Sequence, residues 1–230
     1  MRMKPSKPLT VQSTVKDPEL IQQRRRQIVA ASVKLFQEKG FHKTTTREIA
    51  RESGFSIGTL YEYIESKEDV LYLVCQYIHD RVEERLKELL PAGLTGRETL
   101  EKAITAFIQV MDEMRGEVLL IYQEAKSLTR DALRHVLQRE EEITQIFADI
   151  LRRGLADGTL SIPEEHISLW AHDIVELGEM WAFRRWTLKD KYTLESYTQH
   201  QLSLLLPPDR VSDKTGKYAN SSAGTHVDAK

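Results

Sequence analysis

Between Thr44 and Lys67 the chain reads TTTREIARESGFSIGTLYEYIESK, and the grouping of its hydroxyl, aromatic and small residues suits contact with a polyanion. Thr45 and Glu48 stand at capping-box spacing: the threonine oxygen accepts from the backbone N–H of Glu48 while the carboxylate reaches back to the N–H of Thr45. Ile49 and Ala50 give this helix an apolar face, and Gly54 supplies the left-handed backbone common just past a helix end. Ser56 caps the next helix, Ile57 to about Tyr63. In it Leu60 and Ile64 point inward, leaving Gly58, Thr59, Tyr61 and Tyr63 on the other side. Groups of that kind fit against a phosphate wall. A third cap follows at Ser66, with Asp69 at the capping-box position and Lys67 first in the next helix. The implied unit is a helix, a tight turn and a short second helix that can enter a DNA groove.

The unit sits inside a longer pattern, from about Gln27 to Leu73. It comprises a leading helix with the Leu35–Phe36 pair, the Gly40–Phe41 corner, the Thr-rich entry, the GTLY run at 58–61 and the closing SKEDVL at 66–71. In this order the features resemble the TetR-type bacterial transcription regulators. The resemblance implies an all-α chain in which a small helix-turn-helix DNA-binding domain precedes a larger helical domain that binds an effector and pairs two subunits. It also implies a homodimer on a near-palindromic operator, with recognition helices about 34–36 Å apart or a multiple of that. Carried over by position, Thr45 and Thr46 contact phosphate at a helix N-terminus. Ser56, Gly58, Thr59, Tyr61 and Tyr63 lie along the groove, and Lys67 pairs with the DNA backbone. Glu62 departs from the family pattern, which often has an aromatic or neutral residue there; an acid near phosphate is repelled, so it either faces away or accepts from a cytosine amino group.

Charge is distributed as that division requires. Residues 1–70 carry 13 Lys/Arg against 9 Asp/Glu, a net +4, whereas the other 160 residues carry 20 against 26, a net −6. Phosphate neutralisation supplies most non-specific affinity, so a basic first third on an acidic body fits a DNA-reading module joined to a ligand-facing one. The 230 residues, 40% hydrophobic, suffice for a real core. No apolar run reaches the roughly 20 residues of a membrane span, and the N-terminus lacks a secretory pattern, so a cytoplasmic protein with no membrane partner is expected. Cys75, the single cysteine, sits at helical spacing in VLYLVCQYI and reads as core.

Helical periodicity runs throughout, for about nine helices. Residues 1–16, with Pro5 and Pro8, read as a flexible arm. Residues 17–66 form the helix-turn-helix domain, opened by the Asp17 cap and Pro18 and broken at Gly40. Residues 67–90 form a connecting helix ended by Pro91, with Val70, Leu71, Val74, Ile78 and Val82 inward. Residues 97–206 form the ligand-binding and dimerisation domain, with breaks near Gly116, Thr129 and Gly158 and a helix from Pro163 to about Trp186. Residues 207–230 are a polar, disordered tail.

Catalytic chemistry has no visible constellation. Phosphate loops and a GxSxG elbow are absent, no cofactor is called for, and His166 and His172, six apart, fall on different helix faces, which argues against a metal site. The acidic run Glu140–Glu142 reads as a solvated face. A pure helical interaction module would leave the Thr-rich entry and GTLY run without a purpose. For the effector, Trp170, Ile174, Leu177 and Trp181 offer an apolar helix, joined by Tyr122 and Phe147, with Arg184 and Arg185 beside them. Guanidinium groups at the mouth of an apolar chamber suit an amphipathic anion, and the ending resembles that of family members answering to acyl-CoA thioesters of fatty acid metabolism. The alternative is a multidrug-type regulator of hydrophobic cations or neutral drugs, favoured if Glu124, Asp173, Glu176 or Glu179 face a pocket. The apolar series Leu169, Ile174, Leu177, Trp181, Leu202 and Leu205 offers a dimer face.

Overall fold

A computed structural model describes residues 11–88 and 93–206. Among them are nine α-helices and no strand: α1 Pro18–Lys39, α2 Thr46–Glu52, α3 Ile57–Tyr61, α4 Lys67–Glu88, α5 Gly96–Glu113, α6 Arg115–Glu124, α7 Arg130–Ala156, α8 Ile167–Leu188 and α9 Leu194–Leu205. Short 3-10 turns occupy Ala125–Ser127 and Glu164–His166, so the helix expected from Pro163 begins instead at Ile167.

Side-chain caps fix where the helices begin. Asp17 Oδ1 accepts from the N–H groups of Glu19 and Leu20 at 3.0 and 3.2 Å, with Pro18 in the first turn, where its missing N–H costs nothing. Thr45–Glu48 and Thr95–Glu98 form complete capping boxes, and Ser66 and Asp69 exchange the same pair of bonds at 3.2 and 2.8 Å. At the end of α1, Gly40 takes φ +86, which lets Phe41 fold back edge-on to Phe36 at 5.1 Å.

Part of the expected flexible arm is fixed. Val11 is buried, the Thr14 N–H and the Ser13 hydroxyl both donate to the Glu62 carbonyl at 3.0 and 2.7 Å, and Arg25 Nη2 donates to the Val11 carbonyl at 2.6 Å. Those bonds satisfy carbonyls that a loose chain would give to water. Residues 1–10, residues 89–92, on which the expected end of the connecting helix at 90 falls, and the expected tail at 207–230 lie outside the described residues.

Helices α1 to α3 close over Phe41, Ile49, Leu60 and Ile64, all essentially without solvent contact. The larger body is a bundle in which α5, α7 and α8 pack on one another, flanked by α4, α6 and α9. Its close approach depends on Gly178, where a Cβ would meet the Phe107 ring at 2.4 Å. Helix α1 packs against both α4 and α6, and His42 Nε2 lies 3.5 Å from Glu124 Oε2 across the same junction.

Candidate nucleic-acid interface and ligand cavity

Helices α2 and α3 place most of the expected groove residues on one exposed surface. Thr45, Ser56, Gly58 and Tyr61 are exposed, and Thr46 and Thr59 are partly so. Their hydroxyls already belong to an ordered array. Thr46 Oγ1 lies 3.1 Å from the Tyr61 hydroxyl, and Ser56 Oγ accepts from the Thr59 N–H at 3.0 Å while pairing with its hydroxyl at 2.9 Å. Phosphate oxygens are acceptors, so this array can turn its protons toward a duplex without moving a helix.

Two residues expected in the groove do other work. Tyr63 is 4% exposed and lies beyond the five-residue α3, its ring 6.4 Å from that of Phe55 and its carbonyl accepting from Arg25 Nε at 3.2 Å. Helical phase set by Leu60 carries outward only to Tyr61; past Glu62 the chain turns, and the next aromatic falls into the core. Lys67 points at the corner between α1 and α2. Its ammonium donates to the carbonyls of Phe41, Thr44 and His42 at 2.8, 3.1 and 3.5 Å and stands 4.3 Å from the centre of the Phe41 ring. The chain leaving Gly40 exposes three carbonyls to one face, and a three-donor ammonium matches them. The basic groups free for phosphate are others: Lys43, Arg47 and Arg51 are exposed and form no ion pair among the described residues. Their charge inside the Thr-rich segment was the available signal.

The larger body encloses a cavity of 630 Å³. Cys75, Ile78, His79 and Val82 of α4 form one wall, Val118, Ile121 and Tyr122 of α6 another, and α5, α7 and α8 the remainder, including Phe107, Met111, Val136 and Phe183. Of the residues expected to hold an effector, Tyr122 alone lines it, 71% exposed with its ring 4.6 Å from Phe183.

The others belong to the opposite side of α8 or to the core behind the cavity. Trp181 is fully buried, its indole N–H donating to Asp112 Oδ1 at 2.7 Å and its ring 4.8 Å from Tyr197. Arg185 covers that indole at 4.9 Å and holds the same Asp112 oxygen at 3.5 Å. Arg184 is exposed and does not line the cavity. Ile174 is buried, while Trp170 and Leu177 are half-buried against the core. Phe147 is buried edge-on to Phe107, one layer behind the cavity wall. Helix geometry explains the miss. His172, Val175, Glu176, Glu179 and Phe183 fall at i, i+3, i+4, i+7 and i+11 and make the cavity stripe, whereas Ile174 and Trp181 stand about a third of a turn or more away from it. The signal lay in the carboxyls interrupting an apolar helix.

No Lys or Arg lines this cavity; its carboxyls are those of Glu140, Glu141, Glu176 and Glu179, and its imidazoles those of His79 and His172. Glu176 and Glu179 thus face the pocket, while Glu124 and Asp173 do not. Glu140–Glu142 are exposed, as expected of a solvated face, but Glu140 and Glu141 also line the cavity, where burial and then the like charge of Glu176 raise the pKa of Glu140. Crowding by the helices strips water from Glu179, and the like charges of Glu140 and Glu176 add to this, pushing its pKa up to about 7. His79 moves the other way: burial, then the positive neighbours Arg139 and His135, push it down to about 4. Cys75 is buried and its thiol is raised by burial, which keeps it an inert wall residue. A second concavity, 770 Å³ between α1 and α4, is lined by both signs, among them Arg25, Arg26, Asp80 and Glu84, and offers a ligand no preferred charge. The described residues contain no group of ligands able to hold a metal ion and no helix long and apolar enough to cross a membrane.

Comparison with known proteins agrees with this architecture at both ends. Residues 28–72 match the family model of bacterial regulatory proteins, tetR family, and residues 93–173 match that of the tetracyclin repressor-like C-terminal domain. The HTH-type transcriptional regulator HbdR of Aromatoleum sp. (strain CIB) is 32% identical over 199 residues, 86% of each chain. Among solved structures, a tetR-family regulatory protein from Rhodococcus RHA1 superposes with a TM-score of 0.69 at 23% identity, covering 80% of this chain and 95% of that one. AibR, crystallised with isovaleryl coenzyme A and operator DNA, superposes with a TM-score of 0.67 at 20% identity, over 80% of this chain and 99% of its own. These two structures are likenesses of fold.

Proposed function

The chain belongs to the TetR family of bacterial regulatory proteins, and from that premise we propose that it is a repressor that grips a near-palindromic operator as a homodimer and releases it when a small effector fills the cavity. One observation carries the reading. Helix α4 starts at the corner of the DNA-reading unit, where Lys67 clasps the α1–α2 carbonyls, and continues to the cavity wall at Cys75, Ile78, His79 and Val82. Helix α6 does the same from the other side, lining the cavity while packing on α1. A ligand that fits only one setting of these two helices selects one spacing of the paired recognition helices.

On the duplex, Thr45, Thr46, Ser56, Thr59 and Tyr61 meet phosphate and groove edges, Gly58 permits close approach, and Arg47, Arg51 and Lys43 supply charge. Subunits pair through α8 and α9, where Leu169 and Leu204 are 66% and 75% exposed and Leu177 and Leu202 are half-buried. Ile174, Trp181 and Leu205, once counted in that face, are buried within the subunit and contribute nothing to it. The cycle needs no catalysis, metal or cofactor.

For the effector we put first an acyl-CoA thioester whose acyl group enters the apolar chamber while its phosphates stay outside the carboxyl-bearing wall. The AibR complex with isovaleryl coenzyme A supports the class and not the pose. Arg184 and Arg185 no longer argue for it. The glutamates favour a second reading, a hydrophobic cation. Titrating the protein–operator complex with saturated acyl-CoAs of varied length, free CoA and a hydrophobic cationic dye separates them: release by acyl-CoA alone supports the first, and release by the dye alone replaces it with the second.

A further inference from the structure

Within the cavity wall, one side chain is a buried imidazole. His79 is 6% exposed, lines the cavity, and forms no hydrogen bond among the described residues. Its neighbour His135 differs in this respect, with Nδ1 2.8 Å from the Tyr72 hydroxyl, which in turn accepts from Gln76 Nε2 at 3.1 Å. An imidazole set in a cavity wall without a protein partner leaves its donor and acceptor open to whatever occupies the cavity.

Taking the cavity to be the effector site, as proposed above, we propose that His79 reads a hydroxyl group carried on the effector's apolar body. The argument is one of donors and acceptors. Burial and the nearby Arg139 and His135 keep the ring neutral at physiological pH, so it presents one N–H and one lone pair. A hydroxyl both gives and receives a hydrogen bond and serves either nitrogen. An ammonium can satisfy only the lone pair, and a carboxylate only the N–H. The lining also includes the apolar Ile78, Val82, Met111 and Phe107, which sets the character of the rest of the molecule. Glu179 adds a carboxyl that is part-protonated near neutrality and so also both donates and accepts. Because His79 is a residue of α4, the bond it makes bears on the helix that carries the DNA-reading unit.

The test uses the full-length protein and two matched pairs of probes, octanoyl-CoA with 8-hydroxyoctanoyl-CoA and hexylbenzene with 4-hexylphenol, alongside hexyltrimethylammonium. Affinity is read by calorimetry and operator release by gel shift. In each pair that binds, the hydroxylated member binds wild type about tenfold tighter, the worth of one well-made hydrogen bond. The advantage collapses to about one in His79→Leu and survives in part in His79→Gln, whose side chain also donates and accepts; thermal unfolding confirms that both variants fold. Equal affinity within both pairs, a preference undiminished in His79→Leu, tightest binding of hexyltrimethylammonium, or no binding by any probe overturns the proposal. Preference confined to the phenol pair upholds the hydroxyl and removes the thioester reading. Val175→Trp, which fills the cavity from α8, separates the two levels: probes that bind it as they bind wild type take the effector site out of the cavity altogether.

Discussion

The DNA-reading unit at the start of α4 and the cavity along its middle are built by opposite means. Each element of the first is fixed by neighbours in sequence: a box between Thr45 and Glu48, a cap from Ser56 to Thr59, a box between Ser66 and Asp69. The cavity has no local rule. Its walls come from α4, α5, α6, α7 and α8, and whether a residue faces it depends on how each helix is rotated in the bundle. Local bonding makes a rigid reader, whereas tertiary packing makes a chamber whose walls can shift. A regulator needs one of each.

The largest effect should come from the face of α8 turned away from the cavity. Trp181→Ala removes a fully buried indole, its bond to Asp112 and the surface on which Arg185 lies, and should cost about 3–5 kcal/mol of stability. Chemical denaturation measures it. If Trp181→Ala instead folds normally and only loses effector, the assignment of the two stripes of α8 is reversed.

Lys67 and Arg47 sharpen the comparison from the other end. Lys67→Ala strands the carbonyls of Phe41 and Thr44 and should destabilise the first domain by about 1–3 kcal/mol while leaving the salt dependence of residual DNA binding unchanged. Arg47→Ala should do the reverse, shifting stability by less than about 0.5 kcal/mol and lowering the salt slope by about one. A slope that falls for Lys67→Ala and not for Arg47→Ala would return Lys67 to the DNA.

Those residues also mark how far the sequence could be read. Caps are statements about atoms three residues apart, so the starts of α1, α2, α3 and α4 were legible, as were the all-helical class and the core positions Leu60, Ile64 and Val74. Tyr63 was misread because helical phase was carried two residues past the end of α3. Trp170, Ile174, Leu177 and Trp181 were misread because aromatic bulk marks a buried helix without telling its core side from its cavity side. Glu176 and Glu179 held that information: a carboxyl stays on an apolar helix only where water or a ligand can reach it.

Glu179 gives the cavity a pH signature near neutrality, whereas in the DNA-reading unit Glu48 is shifted the other way, down to about 2 by Lys39 and Thr45. The folded pKa of Glu179, about 7, lies above the ordinary glutamate value, so the protonated form is the one folding favours. The stability it allows is fully present below about pH 4 and is lost as pH rises through 7. Glu179→Gln should therefore match wild type near pH 4 and exceed it by about 1–2 kcal/mol at pH 8, allowing for screening by water in the cavity. Thermal unfolding across that range decides; parallel curves for the two proteins would mean that Glu179 is solvated and that the acidic wall is open to bulk water.

The smallest effect on stability should fall on Tyr61, where the two regions differ most in what a hydroxyl is for. Its hydroxyl is 3.1 Å from Thr46 Oγ1 on a surface where the ring is 47% exposed. Both groups can bond to water when the domain is alone, so the contact between them adds little to folding. Against a duplex, as proposed, water would leave the interface and the pair would become a preset donor for phosphate, joining the first turn of α2 to the last of α3. Tyr61→Phe should shift thermal stability by less than about 0.5 kcal/mol and weaken operator binding by up to about tenfold, as loss of one charge-assisted hydrogen bond would. Thr46→Ala should give the same weakening, and the double variant little more, because either change dismantles the same pair. Fully additive losses in that cycle would mean that the two hydroxyls meet the DNA independently and that their contact in the free protein plays no part in recognition.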